Sequence, residues 1–290
     1  MKMRIPVMGR IFPVTLGIFA LSPGAAPAQE EPAEMASVER SPSFVDPAEE
    51  SRQAEEADRA RRMAFFNAIA DADKTAFCAM LNAGMDPDAE LPSPPPEDFR
   101  RRFADERLHY YVSSEKGFTA LMLATALENH TFVKILLLAG ADRWKMTQRH
   151  RTYALWLAAK SGNIAIMRTL MGISPDHESH RFRIAINLMT QRAVLWKDGT
   201  IALDTPISSG RDSHPTPKGA FLVTDKYRNW KSTLYHARMP YFLRLSCGDF
   251  GLHQGALPGY PASHGCIRLP EKSARELFAT VPVGTLVEIQ

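Results

Sequence analysis

Cysteine is scarce in this sequence of 290 residues, which contains only Cys78, Cys247 and Cys266. None of the three belongs to a Cys-x-x-Cys pair, and none has the His and Cys spacing of a zinc site. The sequence therefore predicts no zinc site and no other bound metal. Cys78 and Cys247 lie in apolar helix and strand patterns and are predicted to be buried structural residues.

Net charge is also small. The formal charge is +3, and all of it lies in the first 28 residues, which contain Lys2, Arg4 and Arg10 and no acidic side chain. The remainder of the chain is near neutral, which removes any argument from composition for nucleic-acid binding.

The apolar run Ile11 to Leu21 is too short to span a bilayer comfortably. It follows the basic start and precedes Ala26-Pro27-Ala28, a small-x-small cleavage site, so residues 1–28 are predicted to be a secretory signal peptide. An uncleaved N-terminal anchor is the alternative. Either way the body of the protein is expected outside the cytoplasm, with no transmembrane segment after cleavage. An odd number of cysteines in an exported protein leaves at least one thiol free.

Residues 29–60 are rich in Glu, Ala, Pro and Ser and are predicted to form a disordered or loosely helical leader. Residues 61–175 carry a repeat, in which the pair Ala120-Leu121 recurs 34 positions later as Ala154-Leu155. A period near 33, with a turn followed by two short helices, is typical of ankyrin repeats, which this region resembles. An unrelated helical bundle is the alternative. Ankyrin stacks bind proteins on a concave face, so the resemblance implies a protein partner.

An insert at residues 92–115 begins with Pro-Ser-Pro-Pro-Pro and interrupts the repeat. It is predicted to be an exposed loop. Short alternating segments follow over residues 182–290, including a hairpin with Asp198-Gly199 at its turn and one helix near residues 271–279. The predicted fold is therefore α+β and multidomain, with helical repeats followed by a mostly β sandwich or barrel with one helix.

The chemistry is concentrated in residues 253–270, which contain Cys266, two histidines and Arg268 among glycines and prolines. A thiol becomes a useful nucleophile only as the thiolate, and a nearby imidazole or guanidinium lowers its pKa. The tight turns allow the two ends of the segment to face each other. This composition predicts a cysteine enzyme.

The run Ser263-His264-Gly265-Cys266-Ile267-Arg268, preceded by His253, is similar to the signature of L,D-transpeptidases, the cysteine enzymes that crosslink bacterial peptidoglycan. Residues 205–210 and the Thr-Pro-x-Gly-x-Phe segment at 216–221 also resemble that family. The resemblance covers about residues 182–290. Nine residues lie between His253 and Ser263, fewer than is usual in the family, which bears on substrate choice.

The resemblance implies that Cys266 is the nucleophile and that His253 takes its proton and returns it to the leaving amine. Backbone amides of His264, Gly265 or Cys266 are the expected donors to the tetrahedral oxyanion, and Ser263 and His264 are expected to position the loop. His264 is the alternative to His253 as the base, because it lies only two residues before Cys266 in the sequence.

Arg268 and Tyr260 are the predicted substrate-binding residues. Arg268 shares a strand face with Cys266, because residues i and i+2 point the same way, so it could hold a substrate carboxylate or stabilise the thiolate. Tyr260 falls between His253 and Cys266 in the sequence and is expected to line the cleft.

The resemblance implies a peptidoglycan stem tetrapeptide as donor and a second stem as acceptor. Cys266 attacks the carbonyl of the third residue, D-alanine leaves, and the acyl group passes to an amine in a 3-3 crosslink that needs no cofactor and no metal. Water as acceptor would give an L,D-carboxypeptidase, and attachment of a lipoprotein is a third outcome. A non-catalytic wall-binding module is the alternative from another class. All of these place the protein in the periplasm or at the cell wall, with a part in cell-wall organisation and cell shape.

Overall fold

The computed structural model describes residues 46–248 and 250–290. The predicted signal peptide at 1–28 and the first part of the predicted leader, 29–45, lie outside the described residues. None of the helices in the described ranges is long and apolar enough to cross a membrane.

The N-terminal part of the described chain is helical. Its helices are α1 (Pro47–Ala70), α2 (Lys74–Asn82), α3 (Glu97–Arg101), α4 (Glu106–Ser114), α5 (Ala120–Ala126), α6 (His130–Leu138), α7 (Ala154–Ser161) and α8 (Ile164–Met171). A short 3-10 turn at Glu178–Arg181 leads into the next region.

Three helix pairs share one capping device. Asp73, Asn129 and Asn163 immediately precede α2, α6 and α8, and each side chain accepts a hydrogen bond from the backbone N–H three residues on, at 3.0, 3.2 and 3.1 Å. Such a cap satisfies one of the amides that a helix start leaves unpaired. The recurrence of the cap at the second helix of each pair is the local origin of the repeat.

Aromatic stacking joins the first helix pair to the second. The Phe77 ring lies between Phe65 and Phe132, with ring centroids 5.0 and 4.4 Å away. All three side chains are buried. Ala124 and Ala158 are also fully buried, and their small side chains allow α5 and α7 to pack closely.

Two parts of the helical region differ from the sequence predictions. Residues 47–60, expected in a disordered or loosely helical leader, belong to the 24-residue helix α1, so the disordered alternative is wrong for them. The insert at 92–115 is not an exposed loop, because it forms α3 and α4 and buries Phe99, Phe103, Leu108 and Val112. Leu108 and Val112 recur at i and i+4, which places them on one face of α4, whereas Phe103 follows α3 and packs against Phe99 with ring centroids 5.2 Å apart. The prolines at the start of the insert favour a loop, but the apolar spacing further along it is typical of a helix.

The C-terminal part is mostly β. Its strands are β1 (Phe182–Asn187), β2 (Arg192–Lys197), β3 (Thr200–Pro206), β4 (Gly219–Lys231), β5 (Arg238–Leu245), β6 (Gly251–Gln254), β7 (Ile267–Leu269) and β8 (Leu286–Ile289). They lie in the order β3-β2-β1-β8-β4-β5-β6-β7, and α9 (Glu271–Thr280) packs against β5 and β6. The pairs β1–β8 and β6–β7 are parallel, and the others are antiparallel.

The two ends of the strand order are hydrogen-bonded to each other. Ser208, just after β3, exchanges two backbone hydrogen bonds with Arg268 of β7, at 3.0 and 2.9 Å. A closed sheet avoids exposed strand edges. The predicted class, helical repeats followed by a mostly β domain, is confirmed.

The helical region packs directly on the β domain. Met167 of α8 is fully buried, and its sulfur accepts a hydrogen bond of 3.4 Å from the hydroxyl of Ser246, which follows β5. The same hydroxyl accepts the Leu222 amide of β4 at 3.1 Å. Residues 47–290 accordingly form one compact unit.

Candidate active site

The parallel pair β6–β7 brings the predicted catalytic residues to one place. His253 of β6 lies opposite Arg268 of β7, and Cys266 immediately precedes β7. Parallel pairing is needed for this, because it places residues distant in the chain side by side in the same direction. His253, Cys266 and Arg268 all line one cavity of about 390 Å³.

His253 is buried, with 7% of its surface exposed. Its Nδ1 lies 2.7 Å from the backbone carbonyl oxygen of Gln254. A carbonyl only accepts hydrogen bonds, so Nδ1 carries the proton and Nε2 is the ring nitrogen able to accept one. Burial lowers the pKa of His253, the bond to Gln254 partly opposes this, and the charge of Arg268 lowers it further. The imidazole is therefore held in its neutral, proton-accepting form.

The loop before β7 is fixed by side-chain hydroxyls. Ser263 donates from its hydroxyl to the carbonyl of Cys266 and accepts the Gly265 amide at 3.2 Å. The Thr216 hydroxyl donates to the Gly265 carbonyl at 2.9 Å. Gly265 has φ +111°, a conformation that side-chain-bearing residues rarely adopt. Together these contacts hold the backbone on which the Cys266 thiol is carried.

A second loop supports the first. The Gly210 amide donates to the Thr216 hydroxyl at 2.8 Å, and the Ser209 carbonyl accepts the amides of Ala262 and Ser263 at 3.0 and 2.9 Å. A Cβ at Gly210 would lie 2.2 Å from the His214 carbonyl oxygen, so only glycine fits here.

His264 also borders the cavity, but at its exposed rim. Its ring is exposed, and its Nε2 accepts a hydrogen bond of 2.7 Å from the Arg211 guanidinium, which has only donors. The rings of Tyr235 and His214 lie 4.6 and 4.9 Å from it. Local desolvation and the positive charge of Arg211 lower the pKa of His264. Its Nε2 lone pair is thus engaged by Arg211.

The two predicted substrate-binding residues have different surroundings. Arg268 is half-buried and lines the cavity, and its aliphatic stem packs against Gly255. Tyr260 is 62% exposed and does not line the cavity. The backbone carbonyl of Tyr260 accepts a hydrogen bond of 2.7 Å from the Ser208 hydroxyl. The expectation that Tyr260 lines the cleft is therefore not met, because the turn around Gly259 directs its ring to solvent.

Comparison with known proteins identifies both regions. The sequence model of the L,D-transpeptidase catalytic domain matches residues 181–289, and that of the ankyrin repeat matches residues 116–147. A Bacillus licheniformis protein named as the L,D-transpeptidase YkuD is 30% identical over 119 residues, which are 40% of this chain and 68% of the relative. The chain belongs to the L,D-transpeptidase family.

A second curated relative, named as the L,D-transpeptidase YciB of Bacillus subtilis, is 29% identical over 41% of this chain and 70% of its own length. Solved structures are similar as well. An L,D-transpeptidase from Mycobacterium smegmatis is 21% identical, with a TM-score of 0.37, over 38% of this chain and 58% of that one. A mutant Enterococcus faecium L,D-transpeptidase is 32% identical, with a TM-score of 0.35, over 38% of this chain and 50% of that one. The chain thus spans 58% of the first solved structure and 50% of the second.

Several residues around the candidate site of this L,D-transpeptidase domain were not predicted from the sequence. The β4–β5 hairpin covers the cavity with Leu234 and Tyr235, and Trp230 and Arg244 line it from the strands. Buried Cys247 also forms part of the wall, and burial raises the pKa of its thiol. No local motif marks these residues, because strand pairing alone brings them to the site.

Proposed function

We propose that the chain is a peptidoglycan L,D-transpeptidase that uses Cys266 as its nucleophile. The observation that carries the proposal is the buried His253, whose Nδ1 is committed to the Gln254 carbonyl while the ring lines the same cavity as Cys266. A base with a fixed tautomer in the same cavity as a thiol is the starting point for nucleophilic catalysis, in which the base takes the thiol proton. The family match over residues 181–289 supplies the substrate class.

The chemistry proceeds in two acyl transfers. His253 Nε2 takes the thiol proton, and the Cys266 thiolate attacks the carbonyl of the third residue of a stem tetrapeptide. The tetrahedral intermediate collapses, the C–N bond breaks, and the imidazolium returns the proton to the departing amine of D-alanine. An amine of a second stem then attacks the thioester, gives its proton to His253 and releases the thiol. The lowered pKa of His253 makes its imidazolium a ready proton donor.

Of the expected backbone donors to the oxyanion, the amides of His264 and Cys266 are the ones we propose, because the Gly265 amide already donates to the Ser263 hydroxyl. The hydroxyls of Ser263 and Thr216 hold that loop before substrate arrives, and preorganised donors cost no rearrangement during the reaction. Loss of one such donor typically costs about 3 kcal/mol of transition-state stabilisation. Arg268 adds a positive charge in the same cavity, suited to the thiolate or to a substrate carboxylate.

The proposed substrate lies outside the cytoplasm, so we assign the protein to the periplasm or cell wall. The acceptor decides the reaction, since an amine gives a 3-3 crosslink and water gives an L,D-carboxypeptidase product. The pocket chemistry is the same for both.

The test is release of D-alanine from a disaccharide tetrapeptide, followed by mass spectrometry. The wild-type chain should release it, and Cys266→Ala should not. Cys78→Ala is the matched thiol control, because Cys78 lies in α2 of the helical region, and it should retain release. Crosslinked dimers in the products identify transfer, whereas free tripeptide identifies hydrolysis. Equal binding of the peptide by wild type and Cys266→Ala, with no release by either, would favour a wall-binding module.

A further inference from the structure

A second and larger cavity, of about 780 Å³, lies where the helical region meets the β domain. Its helical side is formed by Trp144 and Tyr153, from the loop between α6 and α7, and by Trp156 of α7. Its β-domain side is formed by Tyr227 of β4 and Arg244 of β5. We refer to it as the aromatic groove.

The lining of the aromatic groove is typical of a ligand site. Trp144 is 55% exposed, and its ring centroid is 6.4 Å from that of Tyr153. Large exposed aromatic side chains grouped in a concave surface, with a few polar groups among them, commonly mark binding sites. Aromatic faces of this kind pack against the apolar C–H faces of sugar rings, and the polar groups around them bind hydroxyls and acetamido groups.

The aromatic groove adjoins the cavity of the candidate active site. Arg244 and Gly248 line both cavities. In the proposed reaction the third residue of the stem lies at Cys266, so three residues separate the reacting carbonyl from the sugar that carries the stem. Three extended residues span about 10 Å, so the glycan of a donor seated at Cys266 lies outside that cavity but close to it. The adjoining aromatic groove is a candidate for that position.

The charges of the aromatic groove are mixed and do not form a patch of one sign. Arg151, Arg244 and His150 line it together with Asp225. The Arg244 guanidinium lies 3.8 Å from the Asp225 carboxylate and over the rings of Tyr227 and Trp230, at 5.7 and 5.0 Å from their centroids. The Arg244 guanidinium thus already interacts with groups of the protein, which makes it a weaker binding partner for the carboxylate of a ligand.

We propose that the aromatic groove binds the N-acetylated glycan that carries the donor stem, with Trp144 as its main stacking platform. The ankyrin-like region then forms one wall of the substrate site of the L,D-transpeptidase domain. This inference rests on the proposed function for its choice of ligand. Its location rests on the aromatic groove and the active-site cavity lying next to each other, with Arg244 and Gly248 in both linings.

The experiment compares D-alanine release from the free tetrapeptide and from the same tetrapeptide on its disaccharide. Trp144→Ala should raise KM for the glycan-linked donor by about tenfold, with kcat unchanged, since one lost stacking contact is worth about 1.4 kcal/mol. Release from the free tetrapeptide should not change. Trp144→Phe should restore most of the affinity. Leu138→Ala is the control, because Leu138 is 89% exposed in α6 and does not line the groove.

A binding measurement separates this inference from the proposed function. Calorimetry with Cys266→Ala and stem-free glycan strands should show binding that Trp144→Ala, added to that variant, weakens by about tenfold. If D-alanine release occurs but KM is the same for both donors and stem-free glycan does not bind, the groove inference is wrong and the proposed function stands. If glycan binding depends on Trp144 but no variant releases D-alanine, the groove stands and the proposed reaction fails.

Discussion

The helical region and the β domain bury polar side chains for different purposes. In the helical region the Thr119 hydroxyl caps α5, and the Thr147 hydroxyl accepts the Thr152 amide at 3.0 Å within one turn. In the β domain one group of buried polar side chains lies around the loop before β7, and it includes Ser208, Ser209, Thr216, His253 and Ser263. Similar hydroxyls therefore build repeats in one region and hold a reactive loop in the other. Substitutions should separate accordingly into effects on stability and effects on activity.

The largest expected effect is on activity in the β domain. His253→Ala removes the proposed base, and release of D-alanine should fall by about 10³-fold, within the usual range for general acid–base catalysis. Mass spectrometry of the acylated protein should detect no thioester. His264→Ala is the matched control and should still acylate, because the His264 ring is exposed and engaged by Arg211. The opposite pattern would move the base to His264.

The corresponding large effect in the helical region is on stability. Phe77→Ala opens a cavity between Phe65 and Phe132 and should lower the free energy of unfolding by about 3 kcal/mol or more. Urea unfolding measures the loss. At temperatures where the variant is folded, kcat for D-alanine release should equal that of the wild type. A large fall in kcat would contradict the claim that the helical region contributes to stability and not to activity.

A matched pair of hydroxyl deletions sharpens the comparison. Ser263→Ala leaves the carbonyl of Cys266 and the amide of Gly265 without their hydroxyl partner, which should cost about 1 to 3 kcal/mol of stability and also lower kcat. Thr119→Ala removes only a helix cap, at about 1 kcal/mol, and should leave kcat unchanged. Equal effects of the two variants on kcat would contradict the assignment of Ser263 to the reactive loop.

The smallest expected effect is a dependence of stability on pH. Burial holds the pKa of His253 below its usual value, with the Gln254 carbonyl opposing and Arg268 reinforcing the shift. The unfolded chain binds this proton near pH 6.5, and the folded chain only at lower pH. The stability that neutral His253 contributes is thus complete above about pH 6.5 and is lost as the pH falls through the lowered value.

Lowering the pH from about 7.5 to about 5.5 should therefore lower the urea midpoint of the wild type more than that of His253→Gln, because glutamine does not titrate. An equal fall in both would show that the change comes from other groups. The same lowered pKa should allow D-alanine release to persist below the pH at which an ordinary histidine is protonated.

The sequence alone determined the two regions and the position of the segment that carries the family motif. The 34-residue recurrence from Ala120 to Ala154 and the alternating pattern after residue 182 follow from local periodicity, and so could be predicted. The family match at 181–289 confirms the resemblance drawn from residues 253–268. The roles of Cys266 and His253 remain predictions that activity measurements must test.

Only the tertiary structure decided what surrounds that segment. The predicted loop at 92–115 became two helices because Phe99 and Leu108 found a core to pack on. Tyr260 turned to solvent, whereas Tyr235 came to the cavity from a distant hairpin. The proton on His253 Nδ1 and the groove beside Arg244 depend on neighbours set by strand register and by the packing of α8 on the β domain. Local sequence fixes the preferences of short segments, but contacts between distant segments arise only when the whole chain buries its apolar surface together.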